Sequence, residues 1–213
     1  MKRIWRVFIC MGVSCFAAVQ AAAGINADES KKEKYYREYK KIIEEANDSL
    51  GSEEFRLTPM DEVNEEDMQT PEEFQKTVDA LMKLEDAEAV LDEGNDPQDT
   101  SASAGEGEQA DASQTKKMDV CNVTSAVKCD VSLTTRYNSS AKRRFVTRID
   151  QCLVTVSGSS FHWKEQPVIS EKIIDSGRTV QVKAAGVLEN SSALEKQADL
   201  TYEFYCNSGG GIE

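Results

Sequence analysis

The sequence predicts an α+β chain in two parts. A small helical N-terminal module is joined by a disordered acidic linker to an antiparallel β-sandwich, Ig-like in general architecture, at the C-terminus. Three observations predict this. Residues 24–113 carry 27 acidic and 9 basic side chains, whereas residues 114–213 carry 11 and 13, so two differently charged segments are joined. Apolar positions recur at three- and four-residue steps in the first segment and at alternate positions in the second, the periods of a helix and of a strand. Once a leader is set aside, the four remaining cysteines, Cys121, Cys129, Cys152 and Cys206, all lie in the second segment.

The leader comes first. Lys2, Arg3 and Arg6 precede an uncharged run over residues 7–19 and the small residues Ala21, Ala22, Ala23 and Gly24. That order is a secretory signal peptide, residues 1–23, with cleavage expected after Ala23. The run is shorter than the roughly 20 residues a spanning helix needs, so the mature chain is not expected to span a membrane. The expected location is secreted or extracellular, with retention at the cell envelope open. Four cysteines in an exported chain read as two disulfides. The favoured pairing is Cys121 with Cys129 and Cys152 with Cys206, although sequence alone leaves three connectivities open.

Residues 24–92 are expected to form the acidic helical module. Tyr35, Tyr36, Tyr39, Ile42, Ile43, Ala46 and Leu50 fall on one helical face, and Gly51 supplies a stop. A second helix is announced by Thr70-Pro71-Glu72-Glu73, in which Thr70 caps, Pro71 sets the first φ and Glu73 closes a capping box. The tyrosine stripe is expected mainly as core. Residues 93–117 hold no aromatic side chain and read as the linker. Asp92, Glu93, Asn95, Asp96 and Asp99 do not fit a calcium loop.

Residues 118–206 are expected to be a disulfide-stapled sandwich of six or seven strands, with 207–213 a flexible tail. Val127, Cys129, Val131 and Leu133 alternate, as do Val180, Val182 and Ala184, and Leu200, Tyr202, Phe204 and Cys206. Ile173-Ile174, Asp175-Ser176-Gly177-Arg178 and Thr179-Val180 spell a hairpin.

At Tyr35-Tyr36-Arg37-Glu38-Tyr39-Lys40-Lys41-Ile42-Ile43-Glu44-Glu45-Ala46-Asn47, then Leu57-Thr58-Pro59 and Met68-Gln69-Thr70-Pro71-Glu72-Glu73-Phe74, the chain resembles a group of uncharacterised secreted proteins of Gram-positive, spore-forming bacteria. The resemblance covers about a quarter of the chain. It implies export and a helical module followed by a β module, and it transfers no activity and no functional residue.

The sequence argues against catalysis. His162 is the one histidine, it lies between Phe161 and Trp163, and it has no evident partner for base or metal chemistry. The acidic residues cluster on helix surfaces and in the linker, where they are solvated. No phosphate loop, dinucleotide fingerprint or metal triad appears, so no catalytic residue, metal or cofactor is expected. An acidic surface disfavours nucleic acid. The expected function is extracellular binding through the β-sandwich, toward an unknown extracellular or cell-envelope protein or glycan. Tyr137, Phe161, Trp163 and Tyr205 are the candidate binding surface, since exposed aromatics on sandwich loops and edges serve recognition. The competing readings are an envelope structural protein without a ligand pocket and, behind it, a small secreted hydrolase. Four Asn-x-Ser/Thr sites, at Asn47, Asn122, Asn138 and Asn190, fit the glycosylation pattern at about the chance rate for this composition.

Overall fold

The computed structural model describes residues 30–92, 107–120, 123–158 and 161–212. The expected leader, most of the expected linker and Cys121 lie outside the described residues.

Helix α1, Lys31–Leu50, starts at Ser30, whose hydroxyl accepts from the Glu33 N–H while the Glu33 carboxylate accepts from the Ser30 N–H. It ends at Gly51, whose φ of 69° is the left-handed cap that a residue without a Cβ adopts without strain. Helix α2, Pro71–Met82, opens with the Thr70/Glu73 capping box expected from the sequence. The helices meet through Tyr39 and Phe74, stacked at 3.8 Å between ring centroids, and both are fully buried. The Tyr39 hydroxyl donates to the Gln69 carbonyl, and that of Tyr36 to the Thr58 carbonyl at 2.9 Å. Of the tyrosine stripe, Tyr39 is core and Tyr35 and Tyr36 pack half-buried against it.

Two antiparallel sheets follow. One holds β1 (Phe55–Leu57), β9 (Leu194–Tyr205) and β8 (Thr179–Glu189) in that order, with β7 (Val168–Ile174) and β6 (His162–Trp163) taking successive stretches of the other side of β8. The other sheet runs β2 (Val90–Leu91), β3 (Glu108–Val120), β4 (Val123–Asn138) and β5 (Arg143–Ser157). The sheets meet over a shared core, and the Tyr202 hydroxyl donates to the Val127 carbonyl across it at 3.0 Å. Six strands fall between Val123 and Tyr205, and the hairpin expected at Asp175–Arg178 joins β7 to β8 with Ile174 opposite Thr179.

Three boundaries move. The helical segment is not separate from the sheets, because β1 pairs with β9 and places Phe55 in the common core. The junction is charged as well. Lys196 on β9, 1% exposed, donates to Glu54 at 3.2 Å, to Glu85 and to the Gln197 carbonyl, with its ammonium over the Phe55 ring. The second boundary is the linker, whose last ten residues belong to β3. Ala112, Gln114, Lys116 and Met118 face inward there, and the polar ones are held: Gln114 Nε2 donates to the Glu203 carbonyl at 2.7 Å and Lys116 Nζ to the Glu85 carbonyl at 2.7 Å. Burial lowers the Lys116 pKa, against the opposing pull of Asp86 and Glu85. The third boundary is the tail. Asn207 Oδ1 accepts from the Gly209 and Gly211 N–H groups, Cys206 bridges to Ile212, and Gly210 is buried so close to Arg144 that a Cβ there would lie 2.5 Å from Arg144 Cδ.

Strand β5 departs from simple alternation. Opposite β4 the register steps from Gln151 to Ile149 and from Arg148 to Val146, leaving Asp150 and Thr147 as bulged residues. Each bulge reverses which face the following side chains take, so Arg144 and Val146 are buried while Arg148 and Leu153 are exposed.

Candidate functional site

The four candidate aromatics divide between opposite ends of β8. Phe161 is 4% exposed and belongs to the core. Trp163 is half-buried over Gly186, where a Cβ would come within 3.1 Å of the indole. Both sit beside the end of β8 where His162 pairs with Glu189, while Tyr205 pairs with Thr179 at its start. Ten residues of strand separate those points, roughly 33 Å. His162 itself is on the surface, its Nε2 2.9 Å from Glu189 Oε1.

Tyr137 and Tyr205 share the far end, and Tyr137 lines an open concavity of about 770 Å³. Three elements form it. The end of β4 supplies Arg136, Tyr137 and Asn138, the start of β5 supplies Phe145 and Thr147, and the β7–β8 hairpin supplies Ile173, Ser176 and Gly177. The hairpin is held to β5 by the Val146 N–H, which donates to the Gly177 carbonyl at 2.8 Å. Gly177 has a φ of 89°, and a Cβ there would lie 2.8 Å from the Val146 carbonyl oxygen, so glycine is what permits the approach. Asn138 shapes the rim by accepting from the Ser140 and Ala141 N–H groups at 3.0 Å each.

Cations surround this concavity, and most have assigned contacts. Arg144 is buried and paired with Glu108 at 2.9 Å. Arg143 donates to the Cys206 carbonyl at 2.8 Å and lies over the Phe145 ring at 5.2 Å. Arg148 bonds Asp150, and Arg178 bonds the Asp175 carbonyl. Among the described residues, Arg136 and Lys142 are exposed and make no such contact. Tyr137 is 40% exposed beside Arg136. Tyr205, 51% exposed, donates its hydroxyl to Glu203 at 2.8 Å, which raises its pKa. Chemically, the concavity offers an aromatic face, guanidinium donors and small polar groups, and its lining contains no carboxylate, histidine or cysteine.

Of the aromatics expected from the sequence, Tyr137 lines this concavity. Arg136 gives no sequence signal, because a single arginine in a strand carries no motif. Of the glycosylation-like asparagines, Asn47 is engaged by the fold: its side chain donates to the Phe55 carbonyl and accepts from the Phe55 N–H, both at 2.9 Å. Asn190 accepts from the Ser192 and Leu194 N–H groups.

The cysteines differ from the expected pairing. Cys129, Cys152 and Cys206 are free thiols here. Cys206 faces the Arg144 carbonyl, with its sulfur 3.8 Å away, whereas Cys152 lies eight residues farther along β5 opposite Val131. That offset is about 26 Å of strand, beyond the reach of a Cys152–Cys206 bridge. Cys121 lies outside the described residues, and the thiol beside Cys129 is that of Cys152.

No helix among the described residues is long and apolar enough to cross a membrane. No family model matches the chain. No curated protein matches it, and no solved structure matches its fold.

Proposed function

We propose that this chain is an exported, non-enzymatic binding protein whose two sheets act as an Ig-like sandwich scaffold. Its recognition surface is the concavity between the ends of β4 and β5 and the β7–β8 hairpin. The observation that carries the reading is the pairing of Tyr137, exposed on a wall of that concavity, with Arg136, whose guanidinium has no assigned contact among the described residues. An aromatic face beside an arginine suits an acidic glycan of the cell envelope. The ring stacks on the apolar face of a sugar, and the guanidinium takes a carboxylate or phosphate in a two-pronged bond. A binder built this way draws its specificity from one rigid ring and one cation, with the β5 bulges and the Gly177 contact fixing the walls.

The test is retention of the mature chain, residues 24–213, on immobilised polygalacturonate, with neutral dextran as control. Retention on the acidic polymer that is lost in Tyr137→Ala and in Arg136→Gln supports the site. Equal retention of either variant, or equal retention on dextran, removes it. Trp163→Ala, at the other end of β8, is the control that should bind as the parent does.

A further inference from the structure

Cys129 and Cys152 lie on neighbouring strands and face the same side of the sheet. Cys129 is opposite Val154 and Cys152 opposite Val131, which makes the two cysteines a diagonal cross-strand pair. Their thiols lie side by side, each the first influence on the other's titration. Cys129 is fully buried beneath the sheet, and Cys152, on the edge strand β5, is half-buried. The pair is about eight residues along β4 from Tyr137, roughly 26 Å, so its chemistry is separate from the concavity.

We propose that Cys129 and Cys152 are a redox-active dithiol, in which Cys152 is the attacking thiol and Cys129 the resolving one, oxidised by small-molecule disulfides. The division of labour follows from the geometry. Cys152, on the edge strand β5, keeps partial exposure to solvent, whereas Cys129 is fully buried. The neighbouring Cys129 thiol also favours the thiolate at Cys152, lowering its pKa, while Cys152 and burial raise that of Cys129. In the first step the Cys152 thiolate attacks one sulfur of glutathione disulfide, forms a mixed disulfide and expels one glutathione thiolate. In the second, Cys129 loses its proton and attacks the Cys152 sulfur, forming the Cys129–Cys152 bond and expelling the second glutathione thiolate. Two protein thiols are oxidised, one glutathione disulfide is reduced to two glutathione thiols, and the two protons end on those thiols. A diagonal pair closes with more backbone adjustment than a directly opposed one, which makes the bridge reducible, in keeping with a pair that cycles.

The experiment uses the mature chain, reduced, then exposed to glutathione disulfide, alkylated and cut with trypsin. Trypsin places every one of the four cysteines on a different peptide, 118–128, 129–136, 149–164 and 197–213, so each bridge maps uniquely. The expected product joins 129–136 to 149–164. Cys129→Ser should trap one glutathionyl group on Cys152, and Cys152→Ser should leave Cys129 unmodified under the same exposure. A bridge joining any other two peptides overturns the proposal. So does glutathionylation of Cys129 in the Cys152→Ser variant at the rate seen for Cys152 in Cys129→Ser.

Discussion

The Lys196 junction and the Tyr137 concavity are both rich in cations, and they use them in opposite ways. At the junction Lys196 is 1% exposed and is met by Glu54, Glu85 and a carbonyl, while Lys116 reaches the Glu85 carbonyl beneath the Tyr202 ring. Every cation there is tied to holding the helical segment on β9 and β3. At the concavity the buried Arg144 is tied in the same manner, but Arg136 stands in solvent beside an exposed tyrosine. The difference teaches where to look for recognition. The helices, the most acidic and most conspicuous feature of the sequence, are committed to the fold. At the far end of the second sheet Tyr137 and Arg136 stand exposed side by side.

The largest effect should come from the junction. Lys196→Ala leaves Glu54 and Glu85 facing each other without their cation, and should cost about 3 kcal/mol, the lower end for a buried pair because both glutamates keep some contact with solvent. Urea unfolding measures it, and a cost below about 1 kcal/mol would mean that the ammonium is better hydrated than its burial implies. Thr70→Ala should cost about 1 kcal/mol by removing the N-cap of α2, with Thr70→Ser recovering most of it.

Acid should act on the junction before it acts on the concavity. Glu54 has its pKa lowered from 4.5, chiefly by the Ser52 hydroxyl and secondarily by Lys196, with burial opposing. A carboxylate with a lowered folded pKa stabilises the fold fully above its unfolded value. That contribution is lost as pH falls below 4.5 through the folded value. Glu54→Gln should therefore flatten the stability profile in that window, and an unchanged profile would show that Glu54 does not take part. The smallest effect should come from the concavity, where Tyr137→Ala and Arg136→Gln should change stability by less than about 0.5 kcal/mol while abolishing retention on polygalacturonate. A large loss of stability in either would place those side chains with the junction.

Much of the fold was legible in the sequence, and the exceptions have a common cause. Thr70-Pro71-Glu72-Glu73, Gly51 and the Asp175–Arg178 hairpin were readable because capping and turn chemistry is local. Strand β3 has the composition of a linker because its inward positions include Gln114 and Lys116. Gln114 Nε2 and Lys116 Nζ are met by the Glu203 and Glu85 carbonyls, both remote in sequence. Strand β1 is three residues long and owes its place to pairing with Leu194–Lys196. In β5 the bulges at Thr147 and Asp150 reverse the alternation twice, which erases the period-two signal. At the site, Tyr137 was visible as an aromatic flanked by turn residues. Its separation from Trp163 depends on strand order, which alternation does not encode, and so does the nearness of Cys129 to Cys152.

The most direct test of the central claim, that the helical segment is part of one structure with the sheets and leaves the concavity for recognition, is urea unfolding of residues 24–213 followed by two probes. Trp163, the one tryptophan in that segment, reports on the β6–β8 region by fluorescence, and far-ultraviolet circular dichroism at the helical band reports on α1 and α2. Coincident transitions with one midpoint are predicted, moving together in Lys196→Ala. Helical signal lost at a lower urea concentration than the Trp163 signal in the unmodified chain would contradict the account.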